Sequence, residues 1–167
     1  LVKACSSIDG VRELVLAGPC EDAIKTELQS LAAVRDKGAW LSFTGELLLT
    51  EVLEHMADSP VMVLPSYTEG FPMVVLEAMA MGCAVISTSV GAVPQMLAGD
   101  DGLDCGIVIP PQETEILKTS VERLMGNPAL RQELGTRGQQ KVLAHYAIDS
   151  VVKQYEAVWN QCLQAQS

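Results

Sequence analysis

At 167 residues the chain has the length of a single domain, and its 49% apolar content is ample for one core. Its formal net charge of −10 excludes attraction to nucleic acid or to an anionic membrane surface, so an anionic ligand would need local amides or basic side chains. The five cysteines, Cys5, Cys20, Cys83, Cys105 and Cys162, are widely spaced without a C-x-x-C pair, which argues against metal or disulfide use and for reduced thiols in a cytosolic setting.

No run approaches the ~18 apolar residues of a membrane span, and no signal peptide is visible. The sequence opens at Leu1 rather than at methionine, and is expected to be a processed or excised piece.

Strand and helix patterns alternate along the chain. "VRELVLAG" (Val11 to Gly18) predicts a strand stopped by Gly-Pro, and "EDAIKTELQSL" puts Ile24, Leu28 and Leu31 at helical spacing. "WLSFTG" predicts a second strand ending at Gly45, before a helix with Leu49, Val52, Leu53 and Met56 on one face. "VMVLP" predicts a third strand, a continuous apolar run of the kind buried on both faces. "AVIST" and "GIVIP" are the fourth and fifth, with a short helical turn at "VPQML" between them.

From Glu113 the pattern is helical only. One stripe runs from Ile116 to Met125, a second helix is expected over Leu130 to Tyr146, and a third carries Ile148, Val151, Val152, Tyr155, Val158, Trp159 and Cys162. No internal repeat or interdomain linker interrupts the chain. The fold class expected is α/β, a doubly wound, Rossmann-like parallel sheet with extra helices at the C-terminus, in one domain spanning 1–167. Ligands of such sheets bind at the carboxyl ends of the strands, which places Pro65 to Phe71 on the binding edge.

"PSYTEGFPMVVLEAMAMGCAVI" (Pro65 to Ile86) is almost wholly apolar after Pro72, yet it holds Glu69 and Glu77. An unpartnered buried charge costs several kcal/mol, so each carboxylate must meet solvent or a polar partner. Pro72 suits the first position of a helix, and the amides near Met73, Val74 and Val75 would then be free to receive an anion, with Gly70 allowing close approach. Glu77 stands five residues further on, about 7–8 Å along the axis. The arrangement suits a nucleotide sugar, with amides on the diphosphate and one glutamate on each flanking sugar. Geometry alone also allows a glutamate that merely favours the helix dipole and another that tips into solvent.

The other candidates read as structural. His55 and His145 have no acid or nucleophile at useful spacing, and Ser66 and Tyr67 suit a turn. Met73, Met79, Met81, Met96 and Met125 read as core filler, and Trp159 as part of a packing stripe. Asp100, Asp101 and Asp104 read as solvated charge rather than as a cation site.

These residues carry a resemblance. "PSYTEGFPMVVLEAMAMGCAVISTSVGAVPQML" resembles the signature of the retaining GT-B glycosyltransferases called glycosyl transferases group 1: a strand ending in Pro-Ser, then E-G-F-P, then a second glutamate eight positions after the first. "EAMAMGCAVI", Gly91 with Pro94, "GIVIPP", "LSFTG" and "LVLAG" follow in register. The resemblance implies the donor-binding, C-terminal half of a GT-B fold. Glu77 would bind the donor ribose, and Glu69 would be catalytic, facing the transferred sugar. Amides of Gly70, Phe71 and the neighbours of Pro72, Met73 among them, would hold sugar hydroxyls, those of Val74 and Val75 the distal phosphate, and the loop at Gly45 and Leu47 the base. The partner implied is a UDP-, GDP- or ADP-linked sugar, with no cofactor or metal, transferring a hexosyl group with retention to a glycan, lipid or small molecule.

The sequence departs from the family in two ways. The strand and loop whose arginine and lysine clamp the diphosphate are missing, because "LVKACSSIDG" resembles the helix just after them; Lys3 is expected to be a solvated helix lysine. The N-terminal acceptor domain is missing too. The fragment is therefore expected to be inactive alone, with no nucleic-acid partner and no membrane contact of its own. The resemblance implies a cytoplasmic setting, or the cytoplasmic face of a membrane reached through the missing half. A nucleotide-sugar epimerase-like domain and a non-catalytic interaction module remain the alternatives.

Overall fold

The structure is a computed structural model that describes residues 1–164. Five short parallel strands alternate with helices in the predicted order: α1 (Val2–Cys5), β1 (Leu14–Ala17), α2 (Asp22–Ala32), β2 (Leu41–Gly45), α3 (Leu49–Asp58), β3 (Val61–Leu64), α4 (Met73–Ala80), β4 (Ala84–Thr88), α5 (Val93–Leu97), β5 (Gly106–Ile109), α6 (Thr114–Met125), α7 (Pro128–Lys141) and α8 (Ile148–Gln164). Among the described residues the strands form two groups, β1-β2 and β3-β4-β5, every pair parallel.

β4 shows how the layers arise. Its five residues are all buried, and they alternate: Ala84 and Ile86 enter one apolar cluster, Val85 the other. The first cluster gathers α1, α6 and Leu134 of α7 with one face of the sheet. The second gathers Met56 of α3, Val75 and Met79 of α4, and Met96 and Leu97 of α5 with the opposite face. A sheet covered on both faces is the doubly wound arrangement expected of strand-helix alternation.

Arg35 ties the first helix to the core. Its guanidinium stacks 4.3 Å from the Trp40 ring and donates to the carbonyls of Ile8 and Val11, both at 2.7 Å, and of Cys5 at 3.3 Å. Trp40 is buried and donates from Nε1 to the Ala32 carbonyl at 3.0 Å. At the other end of the chain, α7 crosses the α4-β4 turn at close range. A Cβ on Gly135 would collide with the Gly82 carbonyl, so this crossing requires glycine.

Four expectations are corrected. "VMVLP" was expected to be buried on both faces, but every residue of β3 is only half-buried, because β3 bonds to β4 on one edge alone. The stripe on α8 was expected to pack, yet no residue of that helix is buried and Trp159 is 64% exposed, because no other described element covers that face. Met73 was expected in the core but is 58% exposed, since it opens α4 at the sheet's carboxyl edge. The helix expected over Leu130 to Tyr146 instead runs from Pro128 to Lys141 and widens into a π-helical turn, Val142–Tyr146.

Candidate functional site

The loop from Pro65 to Pro72 leaves the carboxyl end of β3 and is held by the end of β4. Thr88 Oγ1 donates to the Ser66 carbonyl at 2.6 Å, and Ser87 Oγ to the Leu64 carbonyl at 3.1 Å. These two hydroxyls satisfy carbonyls that have left the ladder, which explains a polar Ser-Thr pair at the end of a buried strand. Further along, the amide of Ala92 donates to the Gly70 carbonyl at 2.9 Å. The turn after β4 therefore grips the Glu69–Gly70 backbone directly.

Pro72 is the residue just before α4 rather than its first helical residue, and it is buried. Val75 donates its amide to the Pro72 carbonyl at 3.1 Å, so it is not free for a ligand. The amides of Met73 and Val74 have no backbone partner among the described residues and stand at the positive end of the helix dipole. Sequence reasoning placed three free amides here; two are available.

Glu69 and Glu77 flank that helix start. Both are half-buried, and neither carboxylate makes a hydrogen bond or ion pair among the described residues. Each is therefore solvated from one side and open to a ligand donor. Phe71, 50% exposed, meets Tyr146 edge-on with ring centroids 6.0 Å apart. Burial pushes the Tyr146 phenol above its usual range, helped by Asp100 and then Cys105 nearby. Gly45 and Leu47 lie at the end of β2, in the other strand group; the chain between them and the glutamates runs through α3, which packs on α4.

An open cleft of about 240 Å³ adjoins this loop at the carboxyl ends of β3, β4 and β5. Pro65, Tyr67, Thr88, Ile109, Gln112 and Leu1 are among its walls. It touches the loop at Pro65 and Tyr67 but does not include Glu69 or Glu77.

Thr88 and Tyr146 were not anticipated as site residues. The polar end of "AVIST" was a signal for Thr88. Nothing in the sequence ties Tyr146 to Phe71, because 75 positions separate them.

The acidic loop after α5 is a latch to α7 rather than isolated charge. Arg137 pairs with Asp101 at 2.5 Å, His145 Nε2 meets Asp100 Oδ2 at 2.5 Å, and Lys141 donates to the carbonyls of Gln95 and Ala98. The Asp101 carboxyl is held below its usual range by the Leu103 amide, with Arg137 assisting. Among the described residues no group of three or more His, Cys, Asp or Glu is placed to hold a metal ion, and no helix is long and apolar enough to cross a membrane.

Comparison with known proteins gives a consistent picture. A family profile described as "Glycosyl transferases group 1" matches residues 1–127. The chain is 29% identical over 113 residues to the MMP alpha-(1->4)-mannosyltransferase of Mycolicibacterium hassiacum, a match spanning 68% of this chain and 27% of that protein. The C-terminal domain of a glycosyl transferase group 1 family protein, LpcC from Francisella tularensis, superposes with TM-score 0.77 at 24% identity, covering 88% of this chain and 77% of that one. Anabaena HepE, solved in complex with UDP, superposes with TM-score 0.80 at 15% identity, covering 96% of this chain and 44% of that one. The expected fold class holds: one half of a GT-B fold with added C-terminal helices. The chain spans little more than a quarter of the first curated relative it matches.

Proposed function

Because this chain belongs to the glycosyl transferases group 1 family, we propose that it forms the donor-binding half of a retaining glycosyltransferase. The observation that carries the reading is the pair of half-buried, unpartnered carboxylates, Glu69 and Glu77, on either side of the open amino end of α4. The free amides of Met73 and Val74 receive the distal phosphate of a UDP-, GDP- or ADP-linked sugar. Glu77 accepts from the ribose hydroxyls, Glu69 faces the transferred hexosyl group, the Gly70 and Phe71 amides hold its hydroxyls, and the loop at Gly45 and Leu47 meets the base. The UDP in the HepE structure supports a nucleotide ligand for this fold.

In the transfer step the bond from the anomeric carbon to the diphosphate oxygen breaks. The acceptor oxygen bonds to the same face of that carbon, and the departing diphosphate takes the acceptor proton. Neither cofactor nor metal enters this scheme. The acceptor and a basic clamp on the diphosphate come from other parts of a longer, cytoplasmic protein, and this chain alone does not turn over.

The decisive experiment is titration of nucleoside diphosphates and nucleotide sugars into the longer protein, followed by its Glu69→Gln variant. Saturable binding with a turnover loss larger than the affinity loss supports the reading. Binding without any sugar transfer to an acceptor points to an epimerase-like domain, and no binding at all to an interaction module; either result overturns it.

A further inference from the structure

The Gly70–Phe71 peptide is held from two sides, and both holds lead back to α7. On one side the Gly70 carbonyl accepts from the Ala92 amide at 2.9 Å. Ala92 opens α5, and helical bonds from Met96 to Ala92 and from Ala98 to Pro94 carry the connection to the far end of that helix. There Lys141 donates to the carbonyls of Gln95 and Ala98. On the other side the Phe71 ring meets Tyr146, which stands beside His145 in the π-helical turn that continues α7. His145 in turn meets Asp100, just beyond α5. The contacts thus close a ring: Gly70, α5, the end of α7, Tyr146 and back to Phe71.

The ring is fixed to α4 as well. Gln139 of α7 donates to the carbonyl of Ala80, the last residue of α4, at 3.0 Å, and Gly135 lies against the Gly82 backbone. The loop that precedes α4 and the helix itself are therefore referred to one rail. Arg137, Lys141 and His145, four residues apart along that rail, all reach the segment 95–103.

These contacts favour aim over stability. The His145 and Asp100 side chains are 44% and 67% exposed, and a surface ion pair contributes little to folding. Arg137 holds both Asp101 and the Leu103 carbonyl, yet its buried Nε has no partner among the described residues. The π-helical turn is a rare geometry that recurs at functional sites. We propose that Lys141 and His145 are positioning residues for the donor: through α5 and Tyr146 they set the Gly70 and Phe71 amides, at the sugar end of the site, against the Met73 and Val74 amides at its phosphate end. The proposal rests on the donor-binding reading of that loop.

Binding to the longer protein tests it, with UDP, GDP, ADP and the corresponding diphosphate-glucoses as probes. Lys141→Met and His145→Ala are each expected to weaken the best-bound diphosphate-glucose about fivefold or more, with its nucleoside diphosphate held within about twofold. Lys141→Arg and His145→Gln, which keep an N–H donor at each position, should restore the sugar-dependent part. A ligand-free readout accompanies this: in the 167-residue chain the Ala92 amide should exchange about tenfold faster in Lys141→Met, with the β4 amides unchanged. Equal losses for the diphosphate and its glucose conjugate would mean general loosening and overturn the proposal. So would unchanged binding, failure of the conservative variants to restore it, or an Ala92 amide that exchanges as before. If Lys141→Met does not fold, the same split in His145→Ala decides. If the unsubstituted protein binds none of the probes, the donor reading itself fails and the proposal with it; binding without the split sinks the proposal alone.

Discussion

Gly91 has no room for a side chain, because the carbonyl oxygen of Glu69 stands where its Cβ would be. Gly91 also holds φ +52°, in the left-handed region that side chains avoid. The two constraints act together: the turn after β4 bends tightly enough to lay its backbone against the Glu69–Gly70 peptide. The next residue, Ala92, then bonds the Gly70 carbonyl.

Gly91→Ala is therefore expected to push the loop that carries Glu69 outward while leaving Glu77, on α4, in place. Strain of this kind costs roughly 1–3 kcal/mol. A lower melting temperature together with weakened nucleotide binding checks it. Wild-type behaviour in both would mean that the loop yields freely.

Glu77→Ala should keep the fold and weaken nucleotide binding. Its carboxylate has no protein partner among the described residues, so removing it strands no donor inside the chain. Loss of a charge-assisted hydrogen bond to a ribose corresponds to about 1.5–3 kcal/mol. Calorimetry on the longer protein measures this, and unchanged affinity would show that Glu77 serves only the surface.

Tyr146→Ala should loosen Phe71. An edge-on aromatic pair contributes about 0.5–1.5 kcal/mol beyond burial. Donor affinity is expected to fall a few-fold, whereas Tyr146→Phe, which keeps the ring, should restore it. Equal losses in both variants would shift the effect from the ring contact to the phenol.

Cys83 gives a pH prediction. Its thiol is buried, donates to the Met56 carbonyl at 2.9 Å, and is pushed up to about 11 by burial. A raised acid in the folded state means that the unfolded chain ionises first. The stability this thiol contributes is thus complete below pH ~9 and is lost as pH rises toward 11. Denaturant midpoints across that range should fall, and fall less in Cys83→Ala. Thiol reagents at neutral pH should reach exposed Cys162 well before buried Cys83 and Cys5.

The sequence was most legible where one local rule sufficed. "AVIST" matches β4 residue for residue, because a strand paired on both sides shows its buried composition directly. Glu69 and Glu77 were visible as charges in an apolar run, and the structure sets Glu69 in the loop before α4 and Glu77 within that helix. Burial of β3 was misjudged because composition describes the environment a strand suits, not which neighbours are at hand. The α8 stripe misled for the same reason. Tyr146 was illegible because its role depends on where a π-helical turn points at the end of α7, which no local period encodes. The Val75 amide was miscounted because the start of α4 shifts by one residue.

The chain's two tryptophans occupy opposite surroundings: Trp40 is 3% exposed, beneath the Arg35 guanidinium, while Trp159 is 64% exposed on α8 beside Tyr155. Their emission should therefore separate. Trp40 contributes blue-shifted light that a soluble quencher barely reaches, and it changes colour only when the core opens. Trp159 contributes red-shifted light that the same quencher removes at once, and it changes colour when anything settles on α8. Spectroscopically, the molecule carries one internal thermometer and one external touch sensor, readable in a single cuvette without a label.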